Sequence, residues 1–280
     1  MKALSNQLPT MALGSVPKDD GALVLEVDER EALRDEAPFA ERFIKRFMGS
    51  VELINDRDRY CLWIRKEQAA EAEQIPTISR RLDHVRRFRA RSTSSNTNAL
   101  ADDPYRFWHI AFRETNSVIV PRVSSARRQY IPMGYLGPDT IISDAAYAVY
   151  DAEPWVFALL TSAMHMAWTR SVGGRMKTDY RYSNTIVYNN FPVPPLSDSV
   201  KDQLTVAALR VLDVREYHSE LTLADLYDPD RMPDNLRLAH QQLDELVDSI
   251  YRKREFGSDE ERLSILFERY ATMIEAEGRE

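Results

Sequence analysis

Phe191-Pro192-Val193-Pro194-Pro195 divides this chain in two. Three prolines in five residues remove three backbone donors and fix three φ angles, so neither a sheet nor a helix continues through them. Before the prolines, short runs rich in β-branched and aromatic residues alternate with Pro, Gly and Asp; after them, long amphipathic stretches take over. The expected fold is α+β: a mixed-sheet domain over residues 1–195, followed by a small all-helical bundle over residues 196–280.

Working outward from the prolines, Lys201 to Tyr217, Leu236 to Arg254 and Asp259 to Glu277 read as three helices. Leu243, Leu246, Val247 and Ile250 form the core stripe of the second, and Ser258-Asp259-Glu260-Glu261 starts the third as a capping box. Upstream, Ile186-Val187-Tyr188 reads as a strand, and Pro154 to Ser171 as one helix with Gly173-Gly174 after its end. Ile110–Arg113, Ser117–Val120, Tyr130–Met133, Thr140–Ser143 and Ala146–Tyr150 read as strands. Nearer the start, Arg59 to Ile64 reads as a strand and Glu29 to Met48 as a helical face through Leu33, Ala37, Phe39, Ala40, Phe43, Ile44 and Phe47. Thr77 to Arg91 is a helix with Ile78, Leu82, Val85 and Phe88 on its buried face and its arginines elsewhere.

Charge divides along the same line. Residues 1–195 carry 26 Lys and Arg against 24 Asp and Glu, residues 196–280 carry 11 against 20, and the whole chain is at −7. Within the first part, Arg80 to Tyr130 holds 11 basic and 4 acidic residues. That asymmetry suits one module that meets a polyanion and another that does not. Cys61 is the single cysteine and sits in an apolar run, so it reads as a buried side chain and the chain as cytoplasmic. The first residues lack a signal-peptide pattern and no long apolar span occurs, so a soluble protein with no membrane partner is expected.

Catalytic apparatus is not evident. There is no Gly-x-Gly pair, hence no glycine loop for a dinucleotide, S-adenosylmethionine or a nucleoside triphosphate. No Asn/Asp-Pro-Pro-Tyr motif occurs, and none of the seven lysines follows an acid at the spacing of a metal-dependent nuclease. His84, His109, His165, His218 and His240 are scattered, and His165 in Met164-His165-Met166 reads as a packed core residue. Asp225, Asp228, Asp230 and Asp234 lack the glycine and terminal glutamate of a calcium loop and read as a solvated connection. The chain is expected to be non-enzymatic on its own, with no metal and no cofactor.

Three segments look suited to a nucleic acid. Arg80, Arg81, Arg86, Arg87, Arg89 and Arg91, with a Ser/Thr/Asn loop behind them, fit phosphate oxygens, as does a solvated helix face. Arg122, Ser124, Ser125, Arg127 and Arg128 fall in a loop between strands; small hydroxyl residues there let backbone N–H groups approach a phosphate, though an ordinary basic turn has the same composition. Gly173 to Asn184 is the third segment. Alternation places Arg175, Lys177, Asp179 and Arg181 on one face of an extended stretch. Mixed sign fits base edges better than phosphates, since Asp accepts from cytosine N4 while Lys and Arg donate to guanine. A surface salt-bridge ladder looks the same.

These segments also carry a resemblance. Val120 through Tyr135, Ser162 to Trp168, Gly174-Arg175-Met176-Lys177-Thr178-Asp179-Tyr180-Arg181-Tyr182-Ser183 and Val187 to Pro192 resemble the target-recognition domain of MmeI-like restriction-modification enzymes. Leu221 to Pro229 with Met232-Pro233 resembles the C-terminal helical domain of that family. The resemblance implies that Lys177 and Asp179 read one base pair as a unit and that Arg181 contributes to another. On this reading Arg175, Tyr182 and Ser183 join the two arginine segments as backbone contacts. It further implies double-stranded DNA as partner, and methyltransferase and nuclease domains, with their S-adenosylmethionine and Mg, outside this chain. The alternative is a subunit-docking module that reads no bases.

Overall fold

The computed structural model describes residues 4–5 and 7–277. It has the expected class, mixed sheets first and then helices. A four-stranded antiparallel sheet runs in the order Met11–Leu13, Ala146–Tyr150, Ser117–Pro121, Gly134–Leu136. A second sheet runs Val24–Leu25, Tyr60–Leu62, Ile44–Met48, Thr140–Ile142, and its last pair is parallel. A third, three-stranded sheet joins Gly174–Met176, Asp179–Arg181 and Val123–Ser124.

Strand periodicity sorts the core. In Ser117–Pro121, Val118 and Val120 enter the large apolar cluster while Ile119 faces a smaller one with Met48, Ile142 and Ala148. The large cluster does not stop at the prolines. It takes in Val149 of the main sheet, Phe157 and Trp168 of the two central helices, and Leu204, Leu243 and Leu266 of the tail. Phe191 to Pro194 are themselves buried, with Ser5 donating to the Val193 carbonyl at 3.2 Å. The tail helices Asp198–Tyr217, Asp234–Tyr251 and Asp259–Glu277 thus pack onto the sheet-containing half, Trp168 meeting Phe267 and Tyr270 at ring distances of 5.4 and 5.7 Å. A separate cluster holds the second sheet and the helix Pro76–Ala90.

Several elements differ from expectation for local reasons. The helix Val27–Glu36 ends before Pro38, which holds Ala37 extended, and after a 3-10 turn Ile44–Met48 is a strand. Pro154–Leu160 and Ala163–Val172 are two helices. Ser162 breaks them, its hydroxyl donating to the Leu159 carbonyl at 2.7 Å and accepting from the His165 amide at 3.2 Å. Both halves are apolar because both are buried, so composition concealed the break. Asn184–Tyr188 is a π-helical turn rather than a strand, closed by amides five residues on: Tyr188 N–H meets the Ser183 carbonyl at 3.2 Å. Ile110–Arg113 pairs with no strand, and Met133 N–H folds back to the Ile131 carbonyl beside the donorless Pro132, so Tyr130–Met133 forms none either. Cys61 is buried, and burial pushes its thiol up.

A polar network crosses the join between the sheet-containing half and the tail. Tyr130 Oη donates to Asp244 at 2.6 Å, and the other Asp244 oxygen accepts the Ala163 amide at the head of its helix at 2.6 Å. His240 stacks on Tyr130 at 4.2 Å and lies 2.7 Å from the Tyr227 hydroxyl, which takes donors from Arg215. Burial pushes the Asp244 carboxyl up to about 7, the two hydrogen bonds pulling the other way. Between the ordinary carboxylate range and that value the folded chain binds a proton that the unfolded chain has released. Stability from this group is complete below about pH 4 and lost as pH rises through about 7. Thermal midpoints measured from pH 4.5 to 8 (roughly the span concerned) should therefore fall more steeply in the wild type than in Asp244→Asn. Parallel curves would show that Asp244 does not titrate there.

Candidate nucleic-acid interface

The segment with mixed charge is a β-hairpin. Gly174–Met176 pairs with Asp179–Arg181, the turn being Lys177-Thr178 with Lys177 at φ +57°. This corrects the expected single face. Cross-strand neighbours share a face, so Arg175 lies with Tyr180, whereas Met176 lies with Asp179 and Gly174 with Arg181. Tyr180 is buried and the Arg175 guanidinium covers its ring at 4.1 Å. Asp179 and Arg181 therefore project together on the opposite side, beside the exposed Met176, and Lys177 stands at the tip.

The fold holds this hairpin firmly at its base. The core strand Ser117–Pro121 continues past Arg122 into Val123–Ser124, which pairs with the hairpin as Tyr180 with Ser124 and Arg181 with Val123. Tyr182 N–H donates to the Arg122 carbonyl at 2.9 Å. Below, the Tyr182 hydroxyl lies 2.9 Å from His165 Nε2, and His165 sits edge-on to Phe191 with ring centroids 4.5 Å apart. Burial pushes His165 down to about 3, so its imidazole is neutral and serves as a packed anchor. Gly173 is required by close approach: a Cβ there would lie 2.4 Å from the Thr169 carbonyl oxygen that closes the preceding helix.

The arginine loop lies against the hairpin, so two of the three segments picked from sequence come together in one small sheet. Its members divide. Arg122 is half-buried and donates to the Asp144 carbonyl at 2.8 Å. Ser124 is buried, which removes it from the contact set; Ser125 accepts from the Arg127 amide at 3.3 Å. Arg127 is exposed and pairs with Asp230 at 2.7 Å. Arg128 is half-buried, and burial lowers its pKa while the charges of Asp228 and Asp179 oppose that. Tyr182 is buried too and cannot meet a phosphate, and Ser183 is occupied in capping the π turn through the Ile186 amide at 3.2 Å.

The arginine helix belongs to the other core cluster. Its buried stripe is Ile78, Leu82, Val85 and Arg89, not Phe88, which is exposed. Arg89 is inaccessible, and all five guanidinium donations end on backbone carbonyls of Pro17, Lys18, Leu100, Asp103 and Arg106. It is therefore a structural residue, and the phosphate assignment fails for it. Arg81 donates to the Ala22 and Val24 carbonyls, both at 3.1 Å, and pairs with Glu29. Arg86 pairs with Asp83 and Glu73. Arg80, Arg87 and Arg91 remain exposed without an ion pair among the described residues, Arg87 and Arg91 sharing a groove with His84, Phe88, Ser92 and Thr93. Sequence reasoning missed the approach of Asp228 and Asp230 to the arginine loop; opposite net charges on the two halves were the available sign of it.

Among the described residues no group of His, Cys, Asp and Glu is arranged to hold a metal ion. No helix among them is long and apolar enough to cross a membrane.

Comparison with known proteins finds matches along nearly the whole chain. The sequence model of a family described as the target recognition domain of MmeI matches residues 1–195, and that of the MmeI C-terminal domain matches residues 196–276. DNA methyltransferase A of Bacillus subtilis (strain 168) is 42% identical over 270 residues, covering 96% of this chain and 31% of its own length. The solved structure of the Type IIL restriction-modification enzyme MmeI in complex with DNA superposes with a TM-score of 0.92 at 36% identity, covering 98% of this chain and 37% of that one. The chain thus spans about a third of the length of these relatives.

Proposed function

The chain belongs to the MmeI family, as its target recognition and C-terminal domains, and on that premise we propose that it reads the sequence of duplex DNA for a restriction-modification methyltransferase. The observation that carries the reading is the hairpin. A two-stranded ribbon fits the major groove, and this one presents Asp179 and Arg181 on its open face with Lys177 at the tip. A carboxylate there is repelled by phosphates but accepts from an exocyclic amine, while the cations donate to purine acceptors. Arg80, Arg87 and Arg91, free of ion pairs among the described residues, are assigned to the DNA backbone together with Arg175 and Ser125. These contacts would set register and supply the salt-dependent part of affinity.

Methyl transfer and cleavage are assigned to parts of the longer parent protein outside this chain, where S-adenosylmethionine and Mg would bind. This chain has neither the glycine loop nor the Asn/Asp-Pro-Pro-Tyr motif that adenine-amino methylation requires. Its own part would be to present the target adenine for flipping into a neighbouring pocket.

Binding to duplex DNA should weaken steeply between about 50 and 200 mM salt, with a log–log slope of about −0.9 for each phosphate neutralised. Arg87→Ala and Arg91→Ala should each reduce that slope by about one without altering the preferred sequence. Absence of DNA binding at low salt, combined with a stable complex with other subunits, would replace this reading with a docking role.

A further inference from the structure

An acidic turn of the C-terminal half reaches the arginine turn at the base of the hairpin. Arg127 Nη2 donates to Asp230 at 2.7 Å across 103 residues of sequence, and the two side chains are 68% and 76% exposed. The partners differ in freedom. Asp230 is pinned: its amide donates to Asp228 Oδ1 at 2.9 Å, the Met232 amide closes on the Asp228 carbonyl at 2.9 Å, and Tyr227 and Met232 anchor the turn in the large apolar cluster on either side. Arg127 is tied at its backbone, where its amide donates to Ser125 Oγ at 3.3 Å and the Arg128 amide closes on the Ser125 carbonyl at 3.2 Å. Beyond that backbone stands a long side chain, and Asp230 is its one ion-pair partner among the described residues. The turn belongs to the hairpin's own sheet. Val123–Ser124 pairs with Tyr180 and Arg181, so Ser125 and Arg127 emerge beside the strand that presents Asp179 and Arg181. A second pair between the halves, Arg170 with Asp259 at 2.7 Å, is of another kind, since Arg170 is half-buried and also donates to the Gln129 carbonyl at 2.8 Å.

We infer that Asp230 occupies Arg127 in place of a DNA phosphate, so that the acidic C-terminal half withholds one backbone contact of the recognition surface until duplex DNA displaces it. The inference rests on the DNA reading given above. Carboxylate and phosphate oxygens are equivalent acceptors for a guanidinium. An exposed ion pair contributes little to stability, so Arg127 can exchange one for the other without any rearrangement of the fold. Asp230, held by its turn, cannot follow the arginine, and its charge then stands near the phosphate and opposes binding. The effect falls on affinity and not on sequence, because a phosphate contact carries no base information. Every duplex is held less tightly, and base reading by the hairpin makes up a larger share of what remains.

The test is a double-mutant cycle of the wild-type chain, Asp230→Asn, Arg127→Ala and the two combined, read as affinity for a random-sequence duplex between about 50 and 200 mM salt. Both side chains are exposed, so the four proteins keep the wild-type fold. Asp230→Asn should bind about two- to fivefold more tightly, the fold-change that an exposed ion pair represents. Its base preferences, selected from a randomised duplex pool, should stay as in the wild type. Arg127→Ala should bind more weakly with the salt slope reduced by about one, and adding Asp230→Asn to it should change the affinity little. Equal tightening by Asp230→Asn with and without Arg127 would reduce the effect to general repulsion from the acidic half and overturn the inference. Unchanged or weaker binding by Asp230→Asn would overturn it too, as would an Arg127→Ala variant with wild-type affinity and slope. Those results leave base reading by the hairpin standing. Absence of duplex binding by the wild-type chain at low salt would instead remove the DNA reading itself, and the inference with it.

Discussion

Exchanging the charges at the hairpin tip, Lys177→Glu with Asp179→Arg, is expected to change the base pair preferred at one position of the recognised sequence and leave the others as they were. Lys177 and Asp179 flank Thr178 at the end of an exposed hairpin, so both side chains can change while the buried Tyr180 and Tyr182 keep the ribbon seated. Lys177 has positive φ, and glutamate meets the same backbone cost as lysine there, so the swap adds no strain of its own. A well-placed polar pair contributes about 1–3 kcal/mol of discrimination against the wrong base. Reversing donor and acceptor should therefore invert a preference of roughly tenfold to a hundredfold. The readout is selection from a randomised duplex pool followed by affinities for the two best sequences. Uniformly weaker binding to every duplex would mean that these side chains meet phosphate only.

Arg89→Ala should unfold the recognition half at far lower denaturant than the wild type. Its guanidinium ties five carbonyls from Pro17 to Arg106, and the residue is fully buried. Truncation leaves a large void and buried carbonyls without donors, together costing about 3–5 kcal/mol. Lysine supplies three donors from one point instead of five from a plane, so Arg89→Lys should recover little. Arg87→Ala, two residues away and exposed, should leave the urea midpoint unchanged while weakening DNA binding. Equal midpoints for Arg89→Ala and Arg87→Ala would refute the assignment of Arg89 to the scaffold. Six arginines in twelve residues look alike on paper, and their roles separate only where the helix turns its back to the core.

The broad division was readable because it depends on local chemistry. Proline fixes φ wherever it stands, and the amphipathic periods beyond Pro195 have few ways to bury their apolar faces, so the change of class at that point needed no tertiary information. The exposed character of the mixed-charge segment was legible for the same reason: four charged residues in seven do not enter a core unpaired.

Tertiary structure decided what depends on partners far along the chain. Asn184–Tyr188 has strand composition yet coils into a π turn because Ser183 caps it and Trp168 Nε1–H donates to the Val187 carbonyl at 2.9 Å. Lys177 marks a turn rather than the middle of a strand, which moved Arg175 to the far face; alternation alone assumes that the strand continues. Arg127 and Asp230 stand 103 residues apart in sequence, and opposite charge is too common on a protein surface to identify such a pair. Composition states which groups must be solvated or satisfied; only the packed chain states by which neighbour.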